Sequence, residues 1–205
     1  MPVIVVANPK GGVGKSTLST NVAGYFAARG KAVMLGDIDR QQSARTWLGL
    51  RSPAAAAISA WDLVDEVRVR TPKGTTHVVL DTPAGLHGKR LDEVLKTATH
   101  VLVPLQPSIF DIHATHDFLQ RLAEHKRSDK LRVGIVGMRS REGTISADQL
   151  KTFLGTQAFP VITHLRDTQN YVHLAAQGLT LWDVAPSRVE RDLEQWQPLV
   201  RWLEG

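Results

Sequence analysis

Short apolar runs alternate along the chain with longer segments in which apolar residues recur every three or four positions. The short runs are nearly continuous in Val, Ile and Leu, which is typical of strands buried on both faces of a parallel sheet. They predict strands at 3–8, 32–37, 77–81, 100–105, 131–138 and 159–165. The helical spacing predicts helices at 15–29, 88–97, 109–126, 146–155, 168–177 and 187–203. This alternation predicts an α/β fold, a doubly wound and mostly parallel sheet flanked by helices.

Two segments allow more than one structural interpretation. The segment 51–58, RSPAAAAI, is predicted to be a loop or a short helix. The last helix has an apolar stripe that would also suit a membrane-surface anchor. However, residues 188–205 carry three arginines against four acidic residues, and Pro198 lies inside the segment. We therefore predict a terminal helix that packs on the domain through Val189, Leu193, Trp196, Val200 and Leu203.

Length and composition indicate a single globular domain without disulfides or a membrane-spanning segment. A chain of 205 residues with 42% hydrophobic residues is expected to form one domain, 1–205, with a real core. It has no cysteine, which excludes disulfides and thiol chemistry and favours a reducing cytoplasm. No apolar stretch approaches the roughly 20 residues that span a bilayer. The net charge of +5 gives only weak support for a nucleic-acid surface.

The sequence NPKGGVGKST, residues 8–17, lies between the first predicted strand and the first predicted helix. A phosphate-binding loop reads G-x-x-x-x-G-K-[ST] in this context. Gly14, Lys15 and Ser16 match its end, but Pro9 stands where the first glycine belongs. We expect Lys15 to reach the β- and γ-phosphates and the Ser16 hydroxyl to bind Mg²⁺, beside backbone N–H groups at a helix N-terminus. The predicted nucleotide contacts are Gly11, Gly12, Val13, Gly14, Lys15, Ser16 and, at the α-phosphate, Thr17.

Three aspartates follow apolar strands, where a phosphate site needs carboxylates. Asp81 closes HVVLD as a Walker-B aspartate does, and such a residue binds Mg²⁺ directly or through water. Asp37 and Asp39 close AVMLGDID, two residues apart and thus on the same side of an extended chain. We predict that Ser16, Asp37 and Asp81 serve the metal. We expect Asp39 to align the attacking water.

Together these motifs resemble ParA-type partition ATPases of the MinD/ParA family, whose Walker A motif is deviant. The resemblance rests on KGGVGKST (10–17), DIDRQQSA (37–44) and DTPAG (81–85), and a later segment, 165–183, is similar too. It implies a P-loop NTPase that slowly hydrolyses ATP with Mg²⁺. Lys10 matches the family's signature lysine, which reaches the partner subunit's phosphates in a nucleotide-sandwich homodimer. Lys10, Lys15 and Asp39 are thus the implied catalytic residues.

The resemblance also implies a base pocket at the ends of two later strands. The implied contacts are Met138, Arg139, His164, Leu165, Arg166, Asp167 and Thr168. The chain departs from the family pattern in two places. Arg40-Gln41 stands where many relatives have Pro-Gln, and GMRSR (137–141) replaces an asparagine often found near the base.

The implied function is the positioning or segregation of a cargo, which could be a plasmid, a chromosome region or a protein cluster. ATP would close a homodimer that binds DNA non-specifically, and a ParB-like protein or cargo adaptor would stimulate hydrolysis. The candidate DNA contacts are Arg139, Arg141, Arg166 and Arg188. Because the chain starts at the first strand, we expect a short form without an N-terminal DNA-binding domain. We expect it to be cytoplasmic, nucleoid-associated when ATP-bound and not bound to membranes.

Two other functions use the same loop and stay open at this point. One is a MinD-like ATPase at the membrane surface, which would use the apolar stripe of the last helix. The other is a small-molecule kinase or synthetase, such as a dethiobiotin synthetase-like enzyme. That enzyme would need an acceptor pocket, and the sequence does not indicate one.

Overall fold

The centre of the molecule is a seven-stranded sheet in which every neighbouring pair is parallel. The computed structural model describes residues 1–61, 73–141, 144, 152, 153, 155 and 157–205, with only the backbone at 109–113. The strands are β1 (Val3–Val6), β2 (Val33–Asp37), β3 (Ile58–Trp61), β4 (His77–Asp81), β5 (His100–Leu105), β6 (Arg132–Ser140) and β7 (Val161–Arg166). Their order is β3-β2-β4-β1-β5-β6-β7.

Helices cover both faces of this sheet. They are α1 (Lys15–Ala28), α2 (Ser43–Leu50), α3 (Gly88–Thr97), α4 (Ile109–Glu124), α5 (Gln169–Ala175) and α6 (Glu190–Glu204), with 3₁₀ turns at Ser128–Lys130, Leu181–Asp183 and Pro186–Arg188. Successive strand residues point to opposite faces. Accordingly, Val3 and Val5 pack with α3 and α4, whereas Ile4 and Val6 pack with α1, α2, α5 and α6.

The predicted elements are largely confirmed. The six predicted strands lie within two residues of their observed bounds, and five of the predicted helices lie within three. The sixth, 146–155, falls mostly outside the described residues. Strand β3 and helix α2 were not predicted. Strand β3, with the sequence ISAW, lies at the sheet edge and exposes Ser59 and Ala60. Helix α2 buries only Ala44 and Trp47. Neither element therefore has a long apolar pattern in the sequence.

The terminal helix packs on the domain, as predicted. Trp196 is fully buried, and Val189, Val200 and Leu203 are buried beside it, while Leu193 is partly buried against the same cluster. The helix continues through Pro198. In the described part of the chain, no helix combines the length and the apolar character needed to cross a bilayer.

Arg51 anchors the segment 51–58 to the C-terminal part of the chain. Its guanidinium donates two hydrogen bonds, of 2.8 and 2.9 Å, to the two carboxylate oxygens of Asp183. It also donates to the carbonyl oxygens of Ala56 and Gly178. The two charged side chains are only 5% and 4% exposed. The segment is therefore a loop held by a buried ion pair, and it leads into β3.

The topology creates a crevice at the carboxyl ends of the central strands. The chain crosses from β4 on one side of β1 to β5 on the other, and open α/β sheets bind ligands at such a switch point. Asp81 lies beside Val6 in one neighbouring strand and beside Asp37 in the other. Two of the predicted aspartates and the start of the glycine-rich loop are therefore adjacent.

Candidate functional site

The glycine-rich loop connects the end of β1 to the first turn of α1. Gly12 and Gly14 have φ of 76° and 97°, in the left-handed region that favours glycine. A Cβ at Gly14 would also lie 2.8 Å from Met138 Cε. No side chain caps the N-terminus of α1, so its first N–H groups are available to an anion. These features explain why glycine is required where the loop enters the helix.

Two side chains that the sequence analysis missed hold this loop in place. Asn8 is buried, and its amide donates to the Pro104 carbonyl oxygen at 2.8 Å and to Thr115 Oγ1 at 2.9 Å. Its Oδ1 accepts the backbone N–H of Lys10 at 2.8 Å. Gln106 Nε2 donates to the carbonyl oxygen of Gly12 at 2.7 Å. An asparagine ending a buried strand directly before the loop was the available signal.

Lys15 lies inside the loop with only 7% of its surface exposed. Its ammonium group donates to the Lys10 carbonyl oxygen at 2.6 Å. Burial lowers the pKa of Lys15, and the nearby carboxylates of Asp81 and Asp39 partly oppose this effect. Lys15 is therefore a desolvated cation placed between the loop and the aspartates, which suits binding of a phosphate group.

Asp81 is 1% exposed at the end of β4. Its pKa is raised to about 6, because burial and the negative charge of Asp37 outweigh the hydrogen bonds from Ser16 and Ser19 and the positive charge of Lys15. Ser19 Oγ donates to Asp81 Oδ1 at 3.2 Å. A buried carboxylate next to the Ser16 hydroxyl is a set of oxygen ligands of the kind that Mg²⁺ prefers. The residues present therefore fit the predicted metal.

Asp37 and Asp39 are joined by a hydrogen-bonded turn after β2. Asp37 Oδ1 accepts the N–H of Asp39 at 3.0 Å, and its Oδ2 accepts the N–H groups of Ala44 and Arg45 at the start of α2. Asp37 thus acts as a cap that positions Asp39, and its role toward a metal stays a prediction. In the described ranges, no three His, Cys, Asp or Glu side chains could hold a metal by themselves. Phosphate-bound Mg²⁺ needs only one or two carboxylates.

Lys15, Ser16 and Asp39 line a cleft of about 840 Å³, whereas Asp37 and Asp81 are not among its lining residues. Its walls are the loop residues, the turn 39–41, the segment 83–87, Arg90 and Arg139. Of the predicted nucleotide contacts in the loop, Val13 is fully buried and is not among the lining residues. Lys10 does not line this cleft either, whereas Lys15 and Asp39 do.

A second cavity of about 480 Å³ adjoins the first and shares Gly14, Thr17 and Arg139 with it. Five of the predicted base contacts line it: Met138, Arg139, Arg166, Asp167 and Thr168. The other two do not, because Leu165 is fully buried in the core and His164 is exposed elsewhere on β7. Helix α5 adds Tyr171 and Val172, which the sequence analysis missed.

The arginines predicted to contact DNA lie in different surroundings. Arg166 Nε donates at 2.5 Å to the fully buried Asp192, so this guanidinium is held against the protein. Arg141 is 73% exposed and pairs with Asp167. Arg139 is exposed, with a φ of 50°, and Arg188 is exposed just before α6. The structure therefore brings Arg139 and Arg166 to the second cavity, and Arg141 pairs with Asp167, which also lines it.

A family model described as the CobQ/CobB/MinD/ParA nucleotide binding domain matches residues 4–181. The chain belongs to this family. Membership confirms the resemblance read from the motifs and makes the chain a member of a nucleotide-binding ATPase family of the ParA/MinD type.

Individual MinD/ParA relatives agree with this assignment. The "Maintenance of carboxysome distribution protein A" of Gloeobacter kilaueensis is 28% identical over 186 residues, which cover 87% of this chain and 83% of the relative. Among solved structures, the MinD cell division protein of Aquifex aeolicus matches with a TM-score of 0.78 at 18% identity, covering 100% and 98% of the two chains. McdA of Cyanothece, in its apo form, matches with a TM-score of 0.75 at 15% identity, covering 99% of each chain. The predicted fold class is thereby confirmed.

Proposed function

We propose that this chain is a ParA-type positioning ATPase that works as an ATP-dependent homodimer. The observation that carries the proposal is the contrast between its two loop lysines. Lys15 is buried in its own cleft, and Lys10 is not among the residues lining that cleft although its backbone is fixed by Asn8 and Lys15. A loop lysine that does not line its own subunit's cleft fits a contact with the phosphates of a second subunit.

The chemistry follows from the residues in and beside the larger cleft. The loop N–H groups and Lys15 bind the phosphates, and Ser16 and Asp81 would hold Mg²⁺, which would neutralise phosphate charge. Asp39, fixed by the Asp37 turn, orients water toward the terminal phosphate. Lys10 of a second subunit adds a cation as the negative charge develops. The smaller cavity holds the base between Met138 and α5.

The partners of this switch follow from the same scheme. The ATP-bound dimer binds DNA non-specifically, in part through the exposed Arg139, Arg141 and Arg188, and a ParB-like protein or cargo adaptor stimulates hydrolysis. The relative in Gloeobacter kilaueensis is named for carboxysome distribution, which supports a positioning role without fixing the cargo. We propose no membrane anchor in α6, because its apolar side chains are buried in the core. The protein would then act in the cytoplasm, on the nucleoid when ATP is bound.

Single substitutions of the two lysines test the proposal. Lys15→Ala should weaken ATP binding by about 100-fold, because it removes a buried charge from the phosphates. Lys10→Ala should bind ATP within about threefold of wild type but hydrolyse it at least about 100-fold more slowly, as expected for a cation supplied in trans. Nucleotide binding is measured by fluorescent-nucleotide titration and hydrolysis by phosphate release. Equal loss of ATP binding in both variants would contradict the division of labour.

DNA binding is tested separately. ATP-loaded protein should bind random-sequence duplex, and the affinity should fall steeply between 50 and 200 mM salt, as counterion release requires. The Lys15→Ala variant is the matched control and should not respond to ATP. Absence of salt-sensitive binding by ATP-loaded wild type would remove DNA from the scheme and leave the ATPase assignment standing.

A further inference from the structure

The two cavities define the direction in which a nucleotide would lie. They meet at Gly14, Thr17 and Arg139, so a base in the smaller cavity points its phosphates along the loop into the larger cleft. The turn 39–41 and the segment 83–87 line the larger cleft but not the smaller cavity. A terminal phosphate would therefore lie next to this turn, at the end of the cleft remote from the base.

The turn at the far end is held firmly by its own hydrogen bonds. Gln41 N–H donates to Asp39 Oδ1 at 3.0 Å, and Gln42 N–H donates to the Asp39 carbonyl oxygen at 3.1 Å. Gln42 adopts a left-handed conformation with a φ of 49°. With Asp37 capping both the turn and α2, the backbone that carries Arg40 is fixed beside Asp39 at the rim of the cleft.

Arg40 is a charged side chain at this rim, next to Asp39. It lines the cleft and is exposed. Within the described ranges, the structure gives Arg40 no hydrogen bond or ion pair to another side chain. Arg90, which also lines the cleft, instead donates to the Ile38 carbonyl oxygen at 3.0 Å. Among the described side chains Arg40 thus has no partner, and it lies where a terminal phosphate is expected.

We propose that Arg40 binds the terminal phosphate of the nucleotide held by its own subunit. This inference rests on the proposed ATPase function and adds a cation in cis to the one that Lys10 supplies in trans. The planar guanidinium group presents several N–H donors in a geometry that matches two phosphate oxygens. Hydrogen bonds between charged groups are also stronger than those between neutral groups. Because ADP lacks the terminal phosphate, Arg40 makes the subunit distinguish ATP from ADP before a dimer forms.

Affinity measurements with two ligands test this role. Wild type, Arg40→Ala and Arg40→Lys are titrated with ADP and with a non-hydrolysable ATP analogue, both with Mg²⁺, at concentrations where sedimentation velocity shows only monomers. Arg40→Ala should lose about 10- to 100-fold in affinity for the analogue and less than about twofold for ADP. Arg40→Lys keeps the charge without the fork and should lose about threefold for the analogue. Lys89→Ala is the control, because Lys89 is exposed nearby and does not line the cleft.

The outcomes separate this inference from the function on which it rests. If Arg40→Ala loses affinity equally for both ligands, or for neither, the role of Arg40 is refuted while the ATPase assignment stands. If the loss for the analogue appears only at concentrations where dimers form, Arg40 acts on the partner's nucleotide and the contact in cis is refuted. If wild type binds neither ligand, the proposed function fails, and this inference fails with it.

Discussion

Arg51→Met should lower the free energy of unfolding by about 3–5 kcal/mol, the range measured when one partner of a buried ion pair is removed. The side chains of Arg51 and Asp183 are 5% and 4% exposed, so the carboxylate would be left without its partner and out of water. Burial alone would raise the pKa of Asp183, but hydrogen bonds from Arg51 and Thr180 outweigh it and hold the pKa below its ordinary value. In the variant, burial is expected to dominate.

The measurement is urea unfolding of the nucleotide-free protein, followed by circular dichroism and supported by thermal melts. For a chain of this length the loss corresponds to about 6–20 °C in Tm. Arg29→Met is the matched control, because the Arg29–Glu204 pair is 3.6 Å long and its side chains are 54% and 47% exposed. Exposed pairs contribute less than about 1 kcal/mol.

A double-mutant cycle separates the ion pair from packing. Asp183→Asn removes the charge that Arg51→Met would leave unpaired, so the double variant should be more stable than the sum of the two single losses by at least about 1 kcal/mol. A stabilising role for the buried pair is refuted if Arg51→Met costs no more than Arg29→Met. The same holds if the two losses at positions 51 and 183 simply add.

Two further substitutions probe other parts of the molecule. Burial raises the pKa of Asp81 from 3.8 to about 6. The buried carboxylate therefore destabilises the folded state by its full amount above pH 6, and by nothing below pH 3.8, where it is protonated in both states. Asp81→Asn should therefore stabilise the metal-free protein by up to about 3 kcal/mol at pH 8 and by little at pH 4; denaturation midpoints that differ equally at both pH values would contradict this. Gly24→Ala should cost about 1–3 kcal/mol, because its Cβ would lie 2.5 Å from Thr180 Cγ2. Gly49→Ala, where a Cβ meets nothing within 4 Å, should be neutral or stabilising in the same melts.

The central strands could be predicted because their burial on both faces leaves an unbroken apolar run in the sequence. Val3–Val6 is buried at every position, and so is His100–Leu105. Strand β3 could not be predicted in this way, since an edge strand that exposes two of its four residues leaves no such run. The role of Arg51 was equally hidden, because its partner Asp183 lies 132 positions further along the chain.

The phosphate loop could be predicted because its chemistry is local, with lysines, glycines and hydroxyls at fixed spacing in one segment. Its supports could not, because Asn8 contacts Pro104 and Gln106 contacts Gly12 across more than 90 positions. The lining of the second cavity was predicted in part. Arg166 reaches the second cavity, but its neighbour Leu165 points into the core, and the family resemblance alone could not resolve that alternation.

The hydrogen bond from the Lys15 ammonium group to the Lys10 carbonyl oxygen couples the two lysines within one subunit. A phosphate that recruits Lys15 competes with this carbonyl, so nucleotide occupancy and the conformation of the Lys10 segment are thermodynamically linked. Such linkage is reciprocal. In the proposed homodimer, a second subunit that holds Lys10 in a new position would therefore raise the first subunit's affinity for its own nucleotide, and loss of the nucleotide would return Lys10 to its present conformation. Through this bond, each subunit would sense whether its own site is filled before offering a lysine to the other.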